Sequence, residues 1–281
     1  MYDGIILIDK PRDYTSRDVV NIVSKYYNTK KVGHTGTLDP LATGVLVICI
    51  GKATKLVDYL TSTYKEYIAE FKLGVETDTL DITGNILKEE NVSKSKEEIE
   101  KVLNNMVGQY EQVVPIYSAV KINGKKLYEY ARENILVDLP KRVVDIKSLE
   151  LLKIEDNKIT IKTTVSKGTY IRSLIKDICT NLNTIGTMTN LIRTKQGKYS
   201  IENCYKIDEL EKAKLISIEE ILKDEFTVEV DDTLYHKIIN GAILDNIYQK
   251  DLIIFKKDGK ILSAYRKYDK DDTKIKPDKM F

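Results

Sequence analysis

Histidine and cysteine are scarce in this 281-residue chain, which has two and three of them. Cys49, Cys179 and Cys204 form no close pair, so there is neither a disulfide framework nor a zinc-ligand spacing. Cys49 and Cys179 lie in apolar surroundings and read as small buried hydrophobes. His34 and His236 are far apart, which excludes a His- or Cys-ligated metal site and leaves only an all-carboxylate one open. Long apolar runs are missing too. "GIILI" and "GVLVICI" fall well short of the roughly 20 residues that span a bilayer. The N-terminus has no basic segment and no small-residue cleavage site, so no signal peptide is expected and the cytoplasm is the expected compartment. Repeats and low-complexity tracts are absent. Arginine is rare, 7 residues against 38 lysines, so each arginine raises the question of why a planar fork is needed there.

At 42% hydrophobic and 31% charged, the chain reads as soluble and globular, with material for one large domain or a large and a small one. The net charge of +2 names no partner. Its distribution says slightly more: Lys250 to Lys279 holds ten Lys or Arg against six Asp, and residues 121 to 145 hold six against four acidic residues. A mixed, solvated surface explains such excesses as well as an acidic partner does.

Along the chain, "DGIILIDKP" reads as a buried strand ending at proline. "TSRDVVNIVSKYY" reads as a helix capped by Thr15 or Ser16. "GVLVICIG" is a strand and "KATKLVDYLTST" a second helix. "KEYIAEFKLG" alternates Tyr67, Ala69, Phe71 and Leu73 on one strand face. Ser95 caps a helix with Ile99, Val102, Leu103 and Met106 on its apolar side. Asn123-Gly124 signals a hairpin before a basic, tyrosine-bearing helix. Two strands over 143–165 precede a helix carrying Ile171, Leu174, Ile175, Ile178 and Leu182 on one face. "ISIEEIL" is a short helix. From about Thr227 a helix between short strands, with a hairpin at Asp258-Gly259, reads as a β-rich appendage, and the end beyond Lys267 is expected to fray. Strands outnumber helices and are mostly joined by hairpins. This gives an α+β class with a central mixed, mostly antiparallel sheet and flanking helices.

The densest stretch is "KKVGHTGTLDPLATGVL", residues 30 to 46. Three readings compete for Asp39. Asp followed by Pro40 suits a helix start, with Asp39 at the N-cap. A phosphate loop fits less well, because the lysine-serine ending and the dinucleotide spacing are missing and a carboxylate repels phosphate. A catalytic carboxylate fits the glycines, which allow close approach of a ligand, and the histidine five residues upstream. Such a carboxylate needs a partner to keep it charged and aimed. Arg172 is the candidate, because the helix dipole disfavours a cation in the first turn of "GTYIRSL" unless a carboxylate or phosphate meets it.

These blocks, in this order, resemble the TruB family of bacterial tRNA pseudouridine synthases. The resemblance covers nearly the whole chain. It rests on "GIILIDKP", "GHTGTLDPLATGVLVICIGKATK", "KEYIAEFKLGVETDTLDITG", "PIYSAVKINGKKLYEYAREN", "SKGTYIRSLIKDI" and "TNLIRTKQGKY". A lone GTLDP is only suggestive, whereas the ordered set is specific. The resemblance implies isomerisation of uridine to pseudouridine in the T loop of tRNA, at tRNA position 55. The C1′–N1 bond breaks, the uracil turns, and C1′ joins C5. It implies no cofactor and no metal, since the reaction is redox-neutral and keeps every atom. Asp39 matches the catalytic aspartate, Arg172 its arginine partner and Tyr67 the active-site tyrosine. A carboxylate suits a reaction that builds positive charge at C1′, as in glycosidases. The residues leave open whether it attacks C1′ or removes a ribose proton to give a glycal.

Leu191 matches an apolar residue against the base, His34 a histidine that fills the space left by extruded bases, and Lys10 a lysine that supports the site. With Tyr170, Lys121, Lys125, Lys126 and Arg193 they form the expected substrate-binding set. The resemblance further implies base flipping, a catalytic domain over 1–226 with an RNA-binding insertion at about 121–145, and a short PUA-like module over 227–281. Its implied partner is the tRNA T stem-loop, bound by a monomer that needs no protein partner and no membrane. Two rivals stand beside this reading. A guide-dependent relative would carry long extensions, and the first motif follows the start of this chain closely. A non-catalytic RNA-binding protein could lose Asp39, Tyr67 or Arg172, and all three are present.

Overall fold

The computed structural model describes residues 2–281. The first strand, β1 (Gly4–Lys10), is buried almost throughout because both of its faces are covered. Ile6 and Ile8 enter the larger core, and Ile5 and Leu7 enter a second one. Helix α1 (Ser16–Tyr26) starts in a capping box made by Thr15 and Asp18 and buries Val19, Val20 and Val23. Strands β2 (Val32–His34) and β3 (Thr43–Ile50) follow. No helix starts at Asp39. The Ala42 N–H donates to the Asp39 carbonyl at 3.0 Å, closing a turn. Proline's fixed φ serves a turn as readily as a helix start, and the chain must be extended by Thr43 for β3 to pair with β1, Gly44 opposite Lys10. The helix expected after Gly51 is also two pieces, a 3₁₀ turn over Gly51–Leu56 and then α2 (Val57–Thr61).

Strand β4 (Lys65–Leu73) buries every second residue, as its alternation requires. Strands β5 (Val75–Thr77) and β6 (Ile86–Glu89) form a hairpin. Helix α3 (Lys96–Asn105) starts at Ser95 in a second capping box and leads into β7 (Gly108–Val113). The insertion holds β8 (Lys121–Ile122), β9 (Lys125–Lys126) and α4 (Leu127–Arg132). Its tip has positive φ at both Asn123 and Gly124, the turn that an Asn-Gly hairpin favours. Then come β10 (Lys141–Glu155), β11 (Lys158–Val165), α5 (Ile171–Asn181), β12 (Gly186–Gln196), β13 (Tyr199–Ser200) and α6 (Ile218–Ile221). The main sheet runs β1-β3-β12-β4-β11-β10-β7, with β2 beside β3 and β13 beside β12. Every pairing in it is antiparallel except that of β12 with β3. This is the expected α+β class with a mixed, mostly antiparallel sheet.

That parallel pairing brings Gly44 onto the Arg193 backbone. A Cβ at Gly44 would lie 2.3 Å from the Arg193 carbonyl oxygen, and its φ of +99° is one that side chains avoid. Gly44→Ala is expected to cost about 3 kcal/mol in urea unfolding. An unchanged midpoint would show that the two strands can part there without loss.

The C-terminal segment builds a separate five-stranded sheet of order β14-β16-β17-β18-β15. Its elements are β14 (Thr227–Glu229), α7 (Asp232–Ile239), β15 (Leu244–Asp245), β16 (Leu252–Lys257), β17 (Lys260–Tyr268) and β18 (Asp271–Met280). The expected frayed end is a strand instead. Ile275 is buried between Leu244 and Lys267, and Arg266–Asp278 and Lys276–Asp269 ion pairs flank it. One buried isoleucine and pairing along β17 order a strand that its charge hides. Ile254 and Ala264 of this sheet pack into the cluster containing Ile5, Leu7, Val45 and Val47, so the small sheet shares a core with the large one.

Candidate active site

The loop between β2 and β3 is held residue by residue. Ser16, in the first turn of α1, accepts from the Leu38 N–H at 2.8 Å and donates to the Leu38 carbonyl at 3.1 Å. Lys10, at the end of β1, is fully buried, and its ammonium donates to the carbonyls of Pro11, Tyr14 and Pro40 at 2.8, 2.6 and 3.3 Å. Asp39 is thus bracketed by two anchored neighbours. Its carboxylate meets Arg172 in a two-point pair: Nε to Oδ2 at 2.9 Å and Nη2 to Oδ1 at 3.1 Å. The rest of the fork donates to the carbonyls of Thr79 and Tyr117 at 3.1 and 3.0 Å. Arg172 is buried, whereas a third of the Asp39 side chain is exposed. The cation is therefore the fixed part and the carboxylate is the part offered outward.

Outward is a cleft of about 590 Å³, lined by Asp39, His34, Tyr67, Tyr170, Leu191 and Arg193 among others. Neighbouring strands supply its floor. Tyr67 on β4 lies opposite Arg193 on β12, and Leu191 lies opposite Ala69. Asp39, Arg172, Tyr67, Leu191, His34 and Tyr170 are brought together, from elements spread over most of the chain. Lys10 and Arg193 are placed differently from surface RNA contacts. Arg193 is buried and donates to the carbonyls of Val45 and Gly36, at 2.7 and 3.1 Å. Lys121, Lys125 and Lys126 stand beside the cleft on the hairpin. Lys126 donates to the Tyr128 hydroxyl at 3.1 Å, and it is Tyr128 that lines the cleft. Lys125 pairs with Glu133 and lies over the Tyr130 ring.

Among the lining residues that sequence reasoning missed are Tyr128 and Lys65. Lys65 is buried and donates to the carbonyls of Thr61 and Thr63, with its pKa pushed down to about 8 by burial and then by Arg193 and Lys167. A lysine opening an alternating strand gives no sign of burial. Lys10 is likewise pushed down to about 8 by burial, against the opposing pull of Asp39 and Asp13.

Burial, with Arg193 and Arg17 adding to it, holds the His34 pKa below its ordinary 6.5. Its Nδ1 accepts from the Gly36 N–H, which puts the proton of the neutral ring on Nε2. Between the two pKa values the unfolded chain binds a proton that the folded chain refuses, so stability falls as pH drops through that window. NMR titration is expected to find His34 neutral at pH 7. Titration at or above the ordinary value would contradict this environment.

A buried arginine thus presents a carboxylate into a cleft, on a mixed sheet with an appended small sheet. Over 94% of the chain the fold matches a structure described as a Cbf5-Nop10-Gar1 complex, with a TM-score of 0.70, 25% identity and 78% of that chain covered. A structure described as an H/ACA RNP bound to a substrate RNA containing 2′-deoxyuridine matches over 99% of this chain and 84% of its own, with a TM-score of 0.71 and 23% identity, a likeness of fold alone. Residues 24–171 match the family model described as TruB family pseudouridylate synthase, N-terminal domain. The chain is 43% identical to the tRNA pseudouridine synthase B of Mesoplasma florum over 93% of its length and 92% of that protein. It is 51% identical to that of Fusobacterium nucleatum over 71% of this chain and 70% of that one. The chain belongs to the TruB family.

Proposed function

We propose that this protein isomerises the T-loop uridine of tRNA, at tRNA position 55, to pseudouridine, with Asp39 as the catalytic carboxylate. The observation that carries the reading is the half-open Asp39, fixed at two points by buried Arg172 beside Tyr67 and Leu191. A uridine drawn from its stack enters the cleft with its base against Tyr67 and Leu191. As the C1′–N1 bond breaks, Asp39 meets the positive charge developing at C1′. C1′ then bonds to C5, the proton on C5 leaves to solvent, and N1, freed from the ribose, takes up a proton in its place. The names of relatives at 40% identity or more support a tRNA substrate over the guide-dependent reading. Loss of the C5 proton supplies the test: tRNA carrying tritium at uridine C5 should release one tritium per tRNA into water. Product formation without release would rule out bonding through C5.

Residues 1–226 are proposed as the catalytic domain, with residues 121–145 closing on the T stem-loop, and residues 227–281 as a PUA-like module reaching toward the acceptor end. A monomer working without protein partners suits this division. Removing the module would expose the core it shares, so point substitutions are the sounder test. Most of its cations sit in ion pairs, but Lys250, Lys260 and Lys270 are exposed and outside those found among the described residues. Replacing all three with alanine should flatten the log–log salt dependence of tRNA binding by about one unit per lysine, and leave an isolated T stem-loop unaffected. Equal slopes for variant and wild type on full tRNA would place the contacts elsewhere.

A further inference from the structure

One completely buried polar side chain plays no part in the site as described so far. Gln112 on β7 makes three hydrogen bonds through its amide. Its Oε1 accepts from the Tyr170 N–H at 2.8 Å, and its Nε2 donates to the Tyr170 carbonyl at 3.2 Å and to the Tyr110 hydroxyl at 2.8 Å. The Tyr110 hydroxyl donates onward to Asp177 at 3.0 Å. Gln112 therefore pairs with the Tyr170 backbone in both directions, as a neighbouring strand would.

Tyr170 is the N-cap residue of α5 and makes no side-chain cap of its own. Its carbonyl accepts the first helical bond, from the Leu174 N–H at 2.9 Å. Arg172 follows two residues later. On the adjoining strand, Arg142 lies opposite Gln112, with its guanidinium 5.7 Å from the centre of the Tyr170 ring. Tyr170 is thus gripped by its backbone from β7 and by its ring from β10.

We propose that Gln112 is a positioning residue for the isomerisation. By fixing the N-cap backbone it sets where the first turn of α5 begins, and with it the Arg172 fork on Asp39 and the Tyr170 ring in the cleft wall. Glutamine suits this place. Glutamate would turn lone pairs toward the Tyr170 carbonyl, asparagine is a methylene too short to span both Tyr170 groups, and leucine would leave that backbone unpaired. The inference rests on the proposed reaction, since the rate it governs is the rate of that reaction.

The test measures single-turnover rate, T-arm RNA affinity and folded fraction for Gln112→Leu and Gln112→Asn, in the wild-type and Arg172→Lys backgrounds. A displaced catalytic geometry costs about 100-fold in rate, the loss expected for the leucine variant, with about tenfold or more for asparagine. Affinity should stay within about threefold, and in the Arg172→Lys background the leucine change should cost less than about threefold more, since both act through one geometry. Three results would overturn the proposal: a folded variant with a rate within about threefold of wild type, fully additive losses, or a loss that tracks the folded fraction. Failure of both variants to fold would do so as well, by assigning Gln112 to the fold alone. An inactive wild-type protein is a different result and would sink the reaction instead.

Discussion

Asp39→Asn is expected to cut single-turnover product formation by a factor on the order of 10⁴ or more, with tRNA affinity within about threefold. Asparagine keeps the shape and one acceptor oxygen for Arg172 but cannot carry the negative charge that C1′ requires. The loop should hold, because its anchors are Ser16 on Leu38 and Lys10 on Pro40, neither of which touches the Asp39 side chain. Filter binding and product assays on the same preparation check both halves. Substantial turnover by the variant would remove Asp39 from the chemistry. Loss of binding in step with rate would make it a binding residue.

Arg172→Lys should lower the rate on the order of 10²-fold or more and cost about 2 kcal/mol of stability. The fork satisfies two Asp39 oxygens and the carbonyls of Thr79 and Tyr117 from one buried position. A lysine ammonium keeps the charge but is a single point, and it cannot reach all of these acceptors at once. Thr79 and Tyr117 belong to separate segments that both accept from this side chain, so the cleft wall should loosen as well. Single-turnover kinetics and thermal melting separate the two effects. A lysine variant within about tenfold of wild-type rate would show that the two-point geometry is dispensable.

Where local periodicity decides structure, the sequence was readable. The alternation in β4 and the 3.6-residue spacing of Ile171, Leu174, Ile175 and Ile178 each have one buried face, and each element formed as expected. The start at Asp39-Pro40 was not decidable locally, because proline suits a helix and a turn alike and the choice falls to pairing between β1 and β3. The charged strand β18 was hidden for a similar reason, since its order comes from a neighbouring strand and one buried isoleucine. Asp39 and Arg172 were recognised through motifs, and their two-point contact across 133 positions of chain is a tertiary fact. The same limit applies to Gln112, whose partner lies 58 residues away. Arg193 shows the converse. A basic residue in an RNA enzyme suggests a phosphate contact, yet this one is buried with its donors on the carbonyls of Val45 and Gly36.

The central claim is one uridine, changed by one carboxylate. Unfractionated tRNA lacking modifications is incubated with wild-type protein or with Asp39→Asn, treated with carbodiimide and then alkali so that only pseudouridine keeps the adduct, and read by primer extension. A single new stop at the T-loop uridine is expected with wild type and none with the variant. Stops in other arms of the tRNA, no stop at all, or the same stop with Asp39→Asn would contradict it.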